Sequence, residues 1–321
     1  MLVHIILLNL IFHKSHHYLQ ALVESDGCPA SSIKLFGQPL IIRNIMMAQQ
    51  VYGISKVMIP SEFSAAIKLV QESFPSLDVQ ELFDEDLPDS KVSIRGNENL
   101  EIPLNALIHY SKRTNTLTID SLIYPWDFLT TVQKILYDEV TQQIISPNAS
   151  VARSSIIKGP CVIEDGVNVD DFCKIIGPAY LSCGSFVGMS SLIRNSILGS
   201  NTKIGFNCEI GRSYFAGNTK ISHQNVLLDS IIGEDVWFGG YSGTANVLLT
   251  RTNIKYAVGD DLVDTGTDRF GAVVGNNCAV GASVIILPGR QVQSNSIIQA
   301  GTIFGASEKR VDTKAQDSNK L

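Results

Sequence analysis

The sequence predicts a left-handed parallel β-helix of hexapeptide repeats, preceded by a small α/β domain. Three observations carry this. An aliphatic side chain recurs every sixth residue at Ile145, Val151, Ile157, Ile163, Val169, Ile175, Leu181, Val187 and Ile193. The register loses one residue and resumes at Leu198, Ile204 and Ile210, then at Phe215, Ile221 and Leu227, then at Ile232, Phe238 and Thr244. After an interruption it returns at Val274, Val280, Ile286, Val292, Ile298 and Phe304. A period of six lays down one short strand and one turn per hexapeptide, and three hexapeptides close a triangular coil whose aliphatic residues stack along the axis. Second, residues 1–141 hold only Gly27, Gly37, Gly53 and Gly96, and the rest of the 25 glycines follow, where tight corners need them. Third, the first 141 residues alternate strand and helix patterns.

The elements follow in chain order. The run MLVHIILLNLIF is too short to span a bilayer and lacks a basic leader, so it reads as a buried first strand. His13, His16 and His17 follow it; a metal is one reading, but with no carboxylate or Cys beside them a solvated loop fits better. Pro39 opens a helix with Leu40, Ile41, Ile45, Met46 and Val51 on one side. Residues 56–60 (KVMIP) read as a strand, and Ser61 caps a helix with the face Phe63, Ile67, Val70 and Phe74. Residues 77–83 form a second strand, 84–99 an acidic surface loop, and 116–123 a further strand. Tyr124-Pro125-Trp126-Asp127 starts a helix that buries Phe128, Leu129, Val132, Ile135, Leu136 and Val140 and docks on the first coil. The domains expected are residues 1–141, 142–305 with an excursion at 247–269, and a polar tail at 306–321.

Charge and cysteine content narrow the function. Residues 1–141 carry 10 Lys and Arg against 16 Asp and Glu, which is the whole net charge of −6. An acidic chain lacks a nucleic-acid footprint. Seven of the ten arginines lie on the neutral repeat region, a distribution suited to small phosphorylated ligands. Cys28, Cys161, Cys173, Cys183, Cys208 and Cys278 form no C-x-x-C pair and read as small buried hydrophobes of a reducing compartment, so a cytoplasmic location is expected.

Lys34-Leu35-Phe36-Gly37-Gln38-Pro39-Leu40-Ile41, followed by Pro125-Trp126-Asp127 just before the repeats, resembles landmarks of sugar-1-phosphate nucleotidyltransferases. That family cradles nucleotide phosphates on a Gly-rich loop after its first strand. Residues 1–26 contain no glycine and no Asp pair for a magnesium ion stands out, so the first domain reads as a truncated, degenerate nucleotidyltransferase-like domain; Mg²⁺ is implied only if it is active. Residues 206–246 and 269–301 resemble the acetyltransferase half of the bifunctional N-acetylglucosamine-1-phosphate uridylyltransferase/glucosamine-1-phosphate N-acetyltransferase family, through Lys220-Ile221-Ser222-His223 … Asp229-Ser230-Ile231-Ile232-Gly233 and Phe238-Gly239-Gly240-Tyr241-Ser242-Gly243-Thr244-Ala245-Asn246.

The resemblance implies that His223 is the general base removing a proton from a sugar amine as it attacks the acetyl-CoA thioester. Chemistry favours the same residue: imidazole titrates near neutrality, and His223 is the only histidine after residue 109. It falls two residues past the inward Ile221, hence at a corner. Glu209 falls before Ile210, one coil below, and is expected to orient the ring. An ordinary turn histidine is the plainer reading. The resemblance further implies substrate contacts from Arg194, Arg212, Lys220 and Asn246, with a later cation at Lys255 or Arg269. It implies an acetyl-CoA groove along Ala282 and Ala300, with Arg290 for a CoA phosphate, a homotrimer, and an excursion that reaches a neighbouring subunit. Val226 and Trp237 stand where the family has Tyr and Asn. A hexapeptide carbonic anhydrase is set aside, since it needs three histidines and the repeats have one. The expected activity is acetyl-CoA-dependent N-acetylation of an amino-sugar phosphate, glucosamine-1-phosphate first, for UDP-N-acetylglucosamine synthesis. The alternatives are a nucleotidyltransferase and a sugar-nucleotide-sensing or scaffold homologue without turnover.

Overall fold

The computed structural model describes residues 9–13, 34–82, 93–95, 99–103, 106–111, 114 and 116–305. His16, His17, Cys28 and the tail at 306–321 lie outside them, as does most of the expected acidic loop.

Each inward aliphatic of the repeat lands where the period puts it. Strands gather into three parallel sheets of eight, each running the length of the prism. The first face runs from Gln143–Ile145 to Arg290–Val292, the second from Ser150–Val151 to Ile297–Ile298, and the third from Ile156–Lys158 to Ile303–Phe304. Ile163, Leu181, Leu198, Phe215, Ile232, Val274 and Val292 stack inside the first face, and matching columns line the other two. Each such side chain, removed from water, contributes about 1.5–3 kcal/mol. The chain folds as a left-handed parallel β-helix.

The register slips all occur at one corner, between the third face and the first. The early coils turn there through Gly159-Pro160 and Gly177-Pro178. The next three do it with one residue fewer, and Asn195, Arg212 and Asp229 take left-handed conformations there (φ 49°, 48° and 49°). Asn and Asp tolerate that region; Arg does so less readily, and backbone bonds hold it, Arg212 N–H to Arg194 O and Asp229 N–H to Gly211 O.

The N-terminal region forms a five-stranded sheet from β1 (Asn9–His13), β4 (Lys56–Pro60), β5 (Asp78–Leu82), β6 (Ser93–Arg95) and β7 (Asn99–Pro103), in the order β5-β4-β1-β7-β6. Only β6 runs antiparallel to its neighbour. His13 therefore ends a strand, opposite Pro103, instead of opening a loop. A small hairpin, β2 (Lys34–Leu35) and β3 (Gln38–Pro39), turns through Phe36 and Gly37, both at positive φ (51° and 75°). Helix α1 (Leu40–Tyr52) follows. Helix α2 (Ser64–Ser73) starts two residues later than expected: Ser61 and Glu62 form a turn closed by Phe63 N–H to Pro60 O at 3.0 Å, and Ser61 does not cap it. A second hairpin, β8 (Ala106–Ser111) and β9 (Thr116–Ser121), leads to helix α3 (Pro125–Glu139). Asp127 Oδ2 accepts from Tyr124 N–H at 2.9 Å at its start.

Helix α3 packs along several coils, not on the first alone. It lies along the flank of the prism, where Phe128, Leu129, Val132 and Leu136 share one apolar cluster with Ile197, Tyr214, Ile231 and Val273 of the first face. Phe128 meets Tyr214 edge-on with ring centroids 4.9 Å apart, and Trp126 meets Tyr256 and Phe270 at 5.6 and 6.3 Å. The excursion at 247–269 is not structureless. It holds a hairpin, Lys255–Val258 against Asp261–Asp264, and packs Ile254 and Tyr256 fully buried into that cluster. Its buried side chains fold onto its own chain's first face. No helix among the described residues is long and apolar enough to cross a membrane.

Candidate functional site

The predicted site residues separate into two corners of the prism. His223 occupies the corner between the second and third faces. Equivalent backbone bonds place Phe206 one coil below it and Gly240, Ala282 and Ala300 in the coils above: Gln224 N–H to Phe206 O, Tyr241 N–H to His223 O, Ser283 N–H to Gly240 O and Gly301 N–H to Ala282 O, all 2.8–3.0 Å. His223, Ala282 and Ala300 thus share one column, and above the imidazole that column carries nothing larger than a methyl group. The groove so formed is rimmed by exposed Trp237 and Tyr241. Gly205 makes room for the ring: a Cβ there would come within 3.0 Å of His223 Nδ1.

His223 is exposed, and its Nδ1 accepts from Phe206 N–H at 3.2 Å. In the neutral ring this places the proton on Nε2. Nδ1 is therefore free to take up a proton only when it gives up that backbone contact. Lys220 leads into the same corner and stacks in register over Lys203 and under Trp237. Lys203 was not singled out from the sequence; its coil register with Lys220 is the signal that finds it. Two stacked ammonium groups beside the groove favour an anion.

Glu209 does not meet His223. It starts a strand of the third face, in register between Leu192 and Val226, and accepts from Arg194 Nη2 at 2.8 Å and Nε at 3.1 Å. The reason is positional: His223 lies two residues past its inward neighbour and stacks on Phe206, three residues before Glu209. Gly211 gives the Arg194 guanidinium its space, since a Cβ would sit 2.7 Å from Cζ.

Arg212, Asn246 and Arg269 gather at the corner between the third and first faces. Arg212 stacks under Asp229 and binds it through two parallel bonds, Nε to Oδ1 at 2.5 Å and Nη2 to Oδ2 at 2.6 Å. Asp229 pushes the guanidinium pKa still higher, against a smaller opposing effect of burial. Asn246 Nδ2 also donates to Asp229. Asp229, nearly buried at 6 % exposure, is thus the hub of this corner. Arg269 stands beside it in a cleft with Trp126, Gln133, Thr267 and Phe270. Lys255 is exposed on the excursion hairpin. Arg290 lies on the first face, away from the Ala282–Ala300 column, at the edge of a cleft of about 630 Å³ with Tyr256, Leu262, Gln291 and Phe304. Among the described residues no three His, Cys, Asp or Glu side chains converge as a metal cradle.

Fold and corner chemistry together define a hexapeptide-repeat β-helix protein with an imidazole in an open groove. Within that class, no family model matches the chain. Curated proteins do, and they carry the name the motifs pointed to. The chain is 33% identical over 180 residues to the bifunctional protein GlmU of Methanococcus vannielii, covering 56% of this chain and 42% of that protein. It is 31% identical over 222 residues to the bifunctional protein GlmU of Methanocaldococcus jannaschii, covering 67% and 52%. It is 30% identical over 181 residues to a bifunctional sugar-1-phosphate nucleotidylyltransferase/acetyltransferase of Sulfurisphaera tokodaii, covering 56% and 44%. The chain spans about half the length of these relatives or less.

Proposed function

We propose that this protein is an acetyl-CoA-dependent N-acetyltransferase acting on an amino-sugar phosphate of the glucosamine-1-phosphate class. One observation carries the reading: His223 stands in a column with Gly240, Ala282 and Ala300 above it and the stacked pair Lys203 and Lys220 beside it. The small residues leave room for a thin pantetheine arm along the corner. The lysines attract the anionic acceptor, and the Arg194–Glu209 pair lies across the third face. The names of the curated relatives support the same reading.

In the proposed reaction the acceptor's amine attacks the thioester carbonyl carbon. His223 Nδ1, released from Phe206 N–H, takes the amine proton. The C–S bond then breaks and the departing thiolate is protonated by the imidazolium. Glu209 has no direct part in this scheme; it fixes Arg194. Arg212, Asn246 and Arg269 stand at the far end of the third face, and an acceptor reaches them only by lying across it. The exposed apolar side chains Val226, Trp237 and Ile285 on the second and third faces, with Phe206 at the corner between them, suit assembly with further copies, and a cytoplasmic homotrimer is part of the proposal.

Thiol release from acetyl-CoA with glucosamine-1-phosphate tests it. His223→Ala is expected to lower turnover by about 10²–10⁴-fold while sedimentation remains unchanged. Undiminished turnover in that variant overturns the assignment. A second reading, a sugar-nucleotide-binding homologue without turnover, is favoured by the bond that ties up Nδ1. Acetyl-CoA binding with no thiol release on any amino sugar would select it. Nucleotide transfer by the first domain concerns residues 14–33, which lie outside the described residues; UTP calorimetry tests it.

A further inference from the structure

We infer that Asn225 is a positioning residue for His223, holding the corner that carries the imidazole; the inference rests on the reading of His223 as the proton acceptor. Asn225 lies two residues beyond His223 and is fully buried. Its Nδ2 donates to Ser222 O at 2.7 Å and to His223 O at 3.3 Å, and its Oδ1 accepts from Ser242 N–H of the coil above at 2.8 Å. The reverse amide orientation would set an oxygen against two carbonyls, so the network admits one assignment. The two carbonyls flank the His223 α-carbon. Bonding both fixes its φ and ψ, and with them the direction in which Cβ leaves the backbone and the rotamers open to the ring.

The neighbouring coils show what is particular to Asn225. Ser155, Cys173, Ser191, Cys208 and Ser242 hold the same place in other coils, in register through backbone bonds. Their hydroxyls and thiols send their one proton up to the next coil: Ser191 Oγ to Gly205 O at 2.8 Å, Cys208 Sγ to Ser222 O at 3.0 Å and Ser242 Oγ to Gly281 O at 2.9 Å. A carboxamide carries two protons, and Asn225 turns both back onto its own coil. Stacking of the coils therefore needs only Ser or Cys here; the amide adds a closure of the turn itself, in the coil that bears His223. The need is local. His223 is exposed, and its ring is held by one bond, from Phe206 N–H at 3.2 Å. An exposed ring on a loose turn would scatter over several orientations, and displacing a reacting group by about 1 Å can cost about 10²-fold in rate. To take a proton the ring has to leave Phe206 N–H while the corner beneath it stays in place, and Asn225 holds that corner.

The test records nitrogen NMR spectra of the full chain with isotope-labelled histidine in mildly alkaline buffer, beside thiol release from acetyl-CoA. His223 is assigned as the signal missing from His223→Gln. The parent is expected to show one tautomer, protonated at Nε2. Asn225→Ser and Asn225→Cys place residue types that the column already carries, so the coil keeps its stacking. Both should move the His223 signal toward an average of the two tautomers and lower kcat by about 10–100-fold, with KM changed by less than about twofold. Ser155→Ala, near the start of the prism, removes the equivalent column bonds and should leave both readouts at the parent's values. An unchanged His223 signal in both Asn225 variants overturns the proposal, as does an unchanged kcat in them when the parent turns over. An equal disturbance from Ser155→Ala overturns it too, since Asn225 would then act only through the stability of the prism. Absence of thiol release from the parent sinks the acetyl-transfer reading instead, and the spectra alone then decide whether Asn225 positions the ring.

Discussion

His109 illustrates how burial sets the behaviour of one side chain. It is fully buried in β8. Thr118 Oγ1 donates to its Nδ1 at 2.7 Å, and its Nε2 faces Asp138 Oδ2 at 3.4 Å. Loss of water and then the charge of Lys134 lower its pKa, against the pull of Asp138 and Asp120. A lowered folded-state pKa means that the unfolded chain takes up the proton first. Stability is therefore present above the free imidazole value of about 6.5 and is lost as the pH falls from there toward the lowered value. Urea midpoints measured from neutral to mildly acidic pH should fall, and His109→Gln should flatten that slope; an unchanged slope would assign it to other groups. At the other charged cluster, Asp229→Ala would strand Arg212 and Asn246 and cost about 1–3 kcal/mol, discounted because Arg212 is one-third exposed. An unchanged urea midpoint in that variant would deny Asp229 its place as hub.

At the scale of the element, the period of six made the inward residues legible, because stacking on the axis calls for a mostly apolar side chain at a fixed interval; Thr244 is admitted because Ser230 Oγ and Leu228 N–H bond its hydroxyl. The corner holding His223 was legible for the same reason: its offset from Ile221 places it. The pairing of Glu209 was not. Glu209 stands one residue before the inward Ile210, on the third face, where it meets Arg194, whereas His223 stands at the corner and stacks on Phe206. The strand Ala106–Ser111 was also missed, since a hairpin held by tertiary packing leaves a weak local pattern. The chain's return from the excursion offers a test of coil fit. A Cβ on Gly271 would sit 2.2 Å from both Leu228 O and Ser230 Oγ. Gly271→Ala should cost about 1–3 kcal/mol in urea denaturation. A neutral result would mean that the coil there can relax.

For the whole molecule, the decisive contact is the flank on which the N-terminal region lies. Ile197, Tyr214, Ile231 and Val273 form an apolar surface that the first 141 residues cover. Removing those residues should leave a β-helix that self-associates or precipitates, because so large an apolar patch is rarely left exposed. A monodisperse, fully stable residue 142–321 fragment would show that the cover is dispensable. The sequence placed the helix before the repeats but not along them, since which flank an amphipathic helix chooses depends on outward residues that the hexapeptide rule leaves free.

Helix α3 begins beside Tyr256 and Phe270, near the late coils, and ends at Glu139, next to the first strand of the prism at Gln143. It therefore runs antiparallel to the direction in which the coils accumulate, and two rulers lie side by side. One advances about 5.4 Å per helical turn and the other about 4.8 Å per coil. They nearly match, so each turn of the helix faces roughly one storey of the prism, with Phe128, Val132, Leu136 and Val140 as successive marks. The number of coils and the length of the helix are consequently not independent. An extra coil spliced in between Gln143 and Tyr214 would slide the marks out of step unless the helix gained about one turn, so the helix sets how many coils lie between its two ends.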